Sequence, residues 1–201
     1  MKLSIDFLTG KIAYRRAQNG KELLAKAVGI KGCYRPSILD ATAGLGRDGF
    51  MLACWGCKVT MLERSPVMAT LLQDALTRAF TESEWAQKLS LLFIHTDAFD
   101  YFNKLELLNN TYYPDVIYLD PMHPVRSKSA LVKKEMRLVR EIVGEDKDSD
   151  DLLVQALHYA TSRVVVKRPR LAPALANLKP DFCITGKQQR FDVYLSLINR
   201  R

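Results

Sequence analysis

The stretch Ile38-Leu39-Asp40-Ala41-Thr42-Ala43-Gly44-Leu45-Gly46-Arg47-Asp48-Gly49-Phe50 decides how the chain is read. It has the pattern of a buried strand ending at Asp40, a turn of small residues, and a helix opening near Arg47. Gly44 and Gly46 give the turn backbone freedom and let a ligand come close to the main chain. The helix behind them opens with N–H groups that have no partner inside the helix. A ligand is therefore expected across the carboxyl end of this strand. Two ligand classes use such a turn. Gly44, Gly46 and Gly49 match G-x-G-x-x-G, and Glu63 closes the next apolar run where a ribose-binding acid would stand, the pattern of a dinucleotide site. Asp40 and Asp48, on either side of the glycines, point elsewhere. A pyrophosphate seeks the positive start of a helix, and carboxylates there repel it. S-adenosyl-L-methionine (SAM) carries an ammonium and a sulfonium that these acids attract, and Arg47 is placed to take its carboxylate. A tight turn with no ligand is the bland alternative.

Outward from this stretch, strand-like and helical segments alternate. Strands are expected at about 37–41, 58–62, 89–94, 115–119 and 163–166. Helices are expected at about 47–55, 66–80, 99–108, 129–143 and 151–161, with Ser65 as a cap and Pro66 in the first turn of the second. A short helical turn falls within 82–88, and the acidic patch 145–151 is a solvated loop that caps the last helix. Residues 181–186 and 191–198 form a terminal hairpin. Residues 1–33 make a basic N-terminal segment. There Lys11, Arg15 and Arg16 lie on an extended or hairpin piece, Asn19-Gly20 turns, and a short helix over 22–28 ends at Gly29. Such alternation implies a parallel sheet with helices on both faces. With the hairpin appended, residues 34–201 take the α/β, Rossmann-like layout of class I SAM-dependent methyltransferases, a mostly parallel seven-stranded sheet with a C-terminal antiparallel hairpin.

The length of 201 residues suits one substantial core. Thirty Lys+Arg against 22 Asp+Glu give a net charge of +8, which favours a polyanionic partner. The four cysteines are too few and too scattered for a disulfide scaffold. Cys54-Trp55-Gly56-Cys57 sits at a helix-to-strand turn rather than at a helix start, where a redox pair is activated, and no second pair completes a zinc site. No metal is expected. No apolar run approaches the roughly 20 residues that span a bilayer, and the start has no signal-peptide core. The expectation is a soluble, cytoplasmic protein without a membrane partner.

In the expected topology the ends of the first four strands meet at one edge of the sheet. Asp40, Glu63, Asp97 and Asp120 arrive there in turn. Glu63 is suited to both ribose hydroxyls, Asp97 to the adenine amino group, and Arg64 to packing on the adenosine. Asp120-Pro121-Met122-His123-Pro124 resembles the Asp/Asn-Pro-Pro-aromatic loop of methyltransferases that act on exocyclic amines of bases. The lone pair of such an amine is delocalised into the ring. Two acceptors, the Asp120 carboxylate and the Pro121 carbonyl, hold its two hydrogens and turn the lone pair toward the methyl donor. His123 stands where an aromatic ring would stack on the base. A basic tract follows: Arg126, Lys128, Lys133, Lys134, Arg137 and Arg140. Val132, Met136, Val139 and Val143 form an apolar stripe on the helix, and Lys133, Arg137 and Arg140 lie on another face suited to phosphates. Lys167 and Arg168 are expected to add charge there. An ordinary solvated face is the plain alternative.

On these residues the chain resembles the ribosomal RNA small subunit methyltransferase J family. The matching stretches are Asp40–Asp48, Met61–Arg64, Tyr118–Met122, Ser129–Arg137, Val165–Pro169 and Arg190–Asp192, and the likeness runs from about Ile5 to Tyr194. The resemblance implies SAM-dependent methylation of the N2 amine of one guanosine in 16S ribosomal RNA, taken as naked RNA or in the assembled small subunit. It also implies SAM contacts at Arg47, Asp48, Glu63, Arg64 and Asp120 and in the loop at Asp97-Ala98. The chain departs from the family pattern at Asp97, where serine is frequent, and at His123, where Phe or Tyr is usual. Asn19-Gly20-Lys21 replaces a more glycine-rich turn, and the family usually carries a further segment ahead of this region. Three other readings stand beside it. A nicotinamide-dependent oxidoreductase leaves Asp120–Pro124 and the basic helix unexplained. A catalytically silent RNA-binding protein gives Asp120 no role in methylation. A DNA adenine-N6 methyltransferase uses a similar loop but carries a separate DNA-recognition domain, for which 201 residues leave little room.

Overall fold

The computed structural model describes residues 4–17, 22–107, 113–122 and 148–196. Among these residues seven strands form one sheet: β1 Ser37–Asp40, β2 Lys58–Glu63, β3 Leu91–His95, β4 Val116–Leu119, β5 Arg163–Pro169, β6 Phe182–Thr185 and β7 Gln189–Leu195. Their order is β3-β2-β1-β4-β5-β7-β6. β1 to β5 are mutually parallel, and β7 runs antiparallel to both β5 and β6. This is the mostly parallel sheet with a terminal antiparallel hairpin that the alternation of segments implies. The order reverses beside β1, and ligands of open α/β sheets bind outside the strand ends at such a switch point.

The central strands are apolar on both sides, as parallel strands covered by helices must be. Alternate residues feed two cores. Ile38, Met61, Tyr118 and Val165 face one; Leu39, Leu62, Leu119 and Val166 face the other. Helices α2 Leu23–Val28, α3 Arg47–Cys54 and α4 Pro66–Glu82 cover the first core through Leu24, Phe50 and Leu72. The short α5 Glu84–Gln87 adds Ala86 to it. Helices α6 Ala98–Leu107 and α7 Ser149–Tyr159 cover the second, where Phe102 stacks on Tyr159 at 4.6 Å. Ser65 caps α4 by accepting from the Met68 N–H at 3.4 Å, with Pro66 in the first turn.

Three differences from the sequence-based expectation matter. Residues Gly10–Ala17 form a helix, α1, rather than an extended piece. A helix this short is marginal alone and takes its stability from packing. Here Ile12 is buried, and the Arg16 guanidinium lies 3.7 Å from the Trp85 ring centroid. Just before α1, Asp6 accepts from the Leu8 and Thr9 N–H groups at 2.8 and 3.2 Å. Phe7 stacks on Phe50 at 4.2 Å. Second, β5 runs on through Lys167, Arg168 and Pro169, because β7 pairs with it over its full length. Third, β3 opens at Leu91 rather than Leu89. The helix expected over 129–143 and the Asn19-Gly20 turn lie outside the described residues. No helix among the described residues is long and apolar enough to cross a membrane.

Candidate active site

The carboxyl ends of β1 to β5, together with Arg15 of α1, border one cavity of about 540 Å³, within the range of small-molecule sites. Its floor is the β1–α3 turn. Gly44 and Gly46 have φ of +53° and +66°, the left-handed region that favours glycine. Gly49, in the first turn of α3, has no such angle; a Cβ there would stand 2.5 Å from the Met61 sulfur and 2.9 Å from an Asp40 oxygen. Its role is close helix-to-strand packing. The turn is tied to β2 by Glu63, which is buried. Glu63 Oε2 accepts from the Gly44 N–H at 2.8 Å, and Oε1 accepts from the Ser65 N–H at 2.7 Å.

The next strand ends complete the border. Asp97, after β3, accepts from the Phe99 N–H at 2.8 Å and so caps the start of α6, whose first residue is Ala98. Arg64 reaches toward it at 3.7 Å and pairs with Asp148 at 2.5 Å. Asp120, after β4, donates its backbone N–H to Thr42 Oγ1 at 2.6 Å, which joins the Asp-Pro segment to the glycine turn.

Beneath the rim lies a chain of charged groups. Asp48 Oδ1 accepts two N–H groups from Arg15, each at 3.1 Å. Asp48 Oδ2 accepts from the Tyr118 hydroxyl at 2.9 Å and from Lys167 Nζ at 2.8 Å. Lys167 also donates to Asp120 Oδ2 at 2.7 Å. Arg15 in turn holds Glu22 at 2.9 and 2.7 Å. Burial alone pushes the Asp48 carboxyl up, but Lys167 and Arg15 outweigh it and hold the group at about 2. At Asp40 the pull of Lys167 is the lesser influence. Burial, with the Asp48 charge adding to it, pushes its carboxyl well above the usual range. The cavity is therefore charge-mixed: Arg15, Arg47, Arg64, Lys167 and Arg168 border it along with the acids. Arg47 and Arg64 are expected there from the sequence; Arg15 joins them, and Lys167 and Arg168 reach the cavity itself. SAM, which carries an ammonium, a carboxylate and a sulfonium, suits a border of both signs.

A family model described as "Putative SAM-dependent methyltransferase" matches residues 1–196. Ribosomal RNA small subunit methyltransferase J of Haemophilus ducreyi is 50% identical over 205 aligned residues, covering 99% of this chain and 79% of that protein. The protein of the same name from Thioalkalivibrio sulfidiphilus is 52% identical over 197 residues, covering 96% and 76%. The chain belongs to the ribosomal RNA small subunit methyltransferase J family. The crystal structure of a SAM-dependent methyltransferase from Neisseria gonorrhoeae matches at a TM-score of 0.77 and 39% identity, covering 98% of this chain and 76% of that one. The Thermus thermophilus 16S rRNA N2 G1207 methyltransferase, solved with AdoMet and guanosine, shares the fold at a TM-score of 0.55 and 16% identity, covering 94% of this chain and 43% of that one.

In this member of the methyltransferase J family, the sequence-predicted positions Asp40, Gly44, Arg47, Asp48, Glu63, Arg64, Asp97, Ala98, Asp120 and Pro121 all border the one cavity. Gly46 stands just behind it, as the N-cap of α3. His123 and the tract Arg126, Lys128, Lys133, Lys134, Arg137 and Arg140 lie outside the described residues. Lys167 and Arg168 differ from their expected place on a phosphate-binding surface. Lys167 turns inward to two carboxylates, and Arg168 is buried, donating to the Pro173 carbonyl at 3.0 Å. Arg15, Thr42 and Tyr118 also belong to the site; Thr42 and Tyr118 lie inside motif stretches without being singled out by them, and Arg15 lies outside any. Burial pushes the Cys54 and Cys57 thiols up to about 11, so neither is activated. Among the described residues no group of His, Cys, Asp and Glu is placed to hold a metal ion.

Asp48 also makes a prediction about acid. Its folded value of about 2 lies below the ordinary 3.8, so its contribution is full above about pH 4 and is lost as pH falls toward 2. The difference amounts to about 2 kcal/mol. In urea unfolding, the stability gap between the wild type and Asp48→Asn is expected to shrink by about that amount from pH 6 to pH 2. A constant gap would show that Asp48 is not held in its charged form.

Proposed function

We propose that this protein methylates the exocyclic N2 amine of a guanosine in 16S ribosomal RNA, with SAM as methyl donor. Membership of a family of ribosomal RNA methyltransferases supports the substrate class. The observation that carries the chemistry is the convergence of Glu63, Asp97 and Asp120-Pro121 on one cavity over the Gly44 turn. The residues present fit SAM. Buried Glu63, already aimed at the turn, is suited to the ribose hydroxyls, Asp97 to the adenine amino group, and Arg47 to the carboxylate. Bound there, SAM would supply a methyl on a positively charged sulfur that keeps the C–S electron pair, with the Asp120 carboxylate as acceptor of the amine proton.

What the chain contributes is position. The Asp120 carboxylate and the Pro121 carbonyl accept the two amine hydrogens and aim the nitrogen lone pair. Orientation of this kind lowers barriers by up to about 7–11 kcal/mol in well-aligned reactions. Proline limits the backbone at the loop. His123 is assigned to stacking on the base, and the tract from Arg126 to Arg140 to phosphate contacts. The work would be done in the cytoplasm, on naked RNA or the assembled subunit. Mass spectrometry of ribosomal RNA from cells with and without the protein tests this. One N2-methylguanosine is expected to vanish from 16S RNA on deletion; unchanged RNA would overturn the proposal. Titration with SAM and NADH separates it from the dinucleotide alternative, with heat expected from SAM alone.

A further inference from the structure

We propose that Lys167 is a positioning residue for the Asp120 carboxylate, an inference that rests on the methyl-transfer function above. Side-chain exposure rises along the contact chain, from 14% at Asp48 to 24% at Lys167 and 40% at Asp120. The deep end is anchored without the lysine: Asp48 accepts two N–H groups from Arg15 and the Tyr118 hydroxyl. At the shallow end the Asp120 backbone is held by Thr42 at 2.6 Å, and a charged partner limits rotation of the carboxylate about its side-chain torsions. Lys167 grips it, at 2.7 Å on Oδ2.

The grip is rigid because of where the lysine stands. Lys167 sits in β5, between β4 and the antiparallel β7, and pairs in register with Phe191. Its main chain is held by the sheet rather than by a loop. An ammonium is a compact charge with three donors, so it bridges Asp48 and Asp120 at once at 2.8 and 2.7 Å. A group that must accept from a substrate amine in one orientation gains most from such a neighbour, since small misplacements in the reacting geometry cost large factors in rate. The alternative is that Lys167 only neutralises the buried Asp48. That role would affect folding and the whole cavity, not turnover in particular.

The test is single-turnover and steady-state methylation of small subunits taken from cells lacking the protein, with SAM affinity measured by titration. Lys167→Met is expected to keep its folded circular-dichroism spectrum and SAM affinity within about threefold, and to lose turnover by about a hundredfold. Lys167→Arg keeps the charge but moves its donors outward in a planar fork. It is expected to lose turnover about tenfold at unchanged SAM affinity, and it carries the test if the methionine variant fails to fold. Wild-type turnover in either folded variant overturns the inference, as does a parallel fall of turnover and SAM affinity. A wild-type protein that methylates neither these subunits nor the 16S RNA extracted from them overturns the function itself, which the wild-type control reads separately.

Discussion

Replacing Asp120 by alanine is expected to lower the methylation rate by on the order of 10²–10⁴-fold, the span typical for loss of a positioned proton acceptor. Asp120 stands at the end of β4, its backbone tied to the glycine turn and its carboxylate tied to Lys167. Alanine removes the acceptor for the amine while leaving the strand end in place. SAM affinity is expected to change far less, by about tenfold at most, and RNA binding should persist. Methylation assays alongside SAM titration and RNA gel shifts check all three. Retained methylation would remove Asp120 from the chemistry.

Replacing Glu63 by alanine is expected to act on the other half of the site. Hydrogen bonds to a charged acceptor contribute about 1.5–3 kcal/mol each. Loss of two, to the two ribose hydroxyls, corresponds to a rise of on the order of 10²–10⁴-fold in the SAM dissociation constant. The variant also strips the Gly44 and Ser65 N–H groups of their acceptor, which should lower folding stability by roughly 1–3 kcal/mol for each group left unpaired. Titration calorimetry and thermal melts measure both. SAM binding unchanged in a folded Glu63→Ala protein would rule Glu63 out as the ribose acceptor.

The site was partly legible in the chain because part of it is built from short-range features. A glycine turn after an apolar run, an acid at the end of the next run, and Asp-Pro after another are each contained in a few residues. Strand–helix alternation then brings those strand ends to one edge. The inward turn of Lys167 was not legible. In sequence Lys167-Arg168-Pro169 is a polar segment after an apolar strand, and only pairing with β7 extends the strand through it. Nor does any local pattern tell a surface arginine from Arg15, whose two carboxylate partners lie 7 and 33 residues away.

The sequence by itself therefore determined the sheet, its hairpin, the cavity's place at the strand ends and the acids that arrive there, since short apolar runs and glycine turns act over neighbouring residues. The tertiary structure alone decided the charge balance of that cavity. Asp48 meets Lys167 across 119 residues of chain and Arg15 across 33, while Asp40, eight positions before Asp48 in the same motif, is left buried with its carboxyl pushed up. Whether a buried carboxylate stays ionised depends on cations brought from distant elements to within a few ångströms, and that distance is a property of the fold.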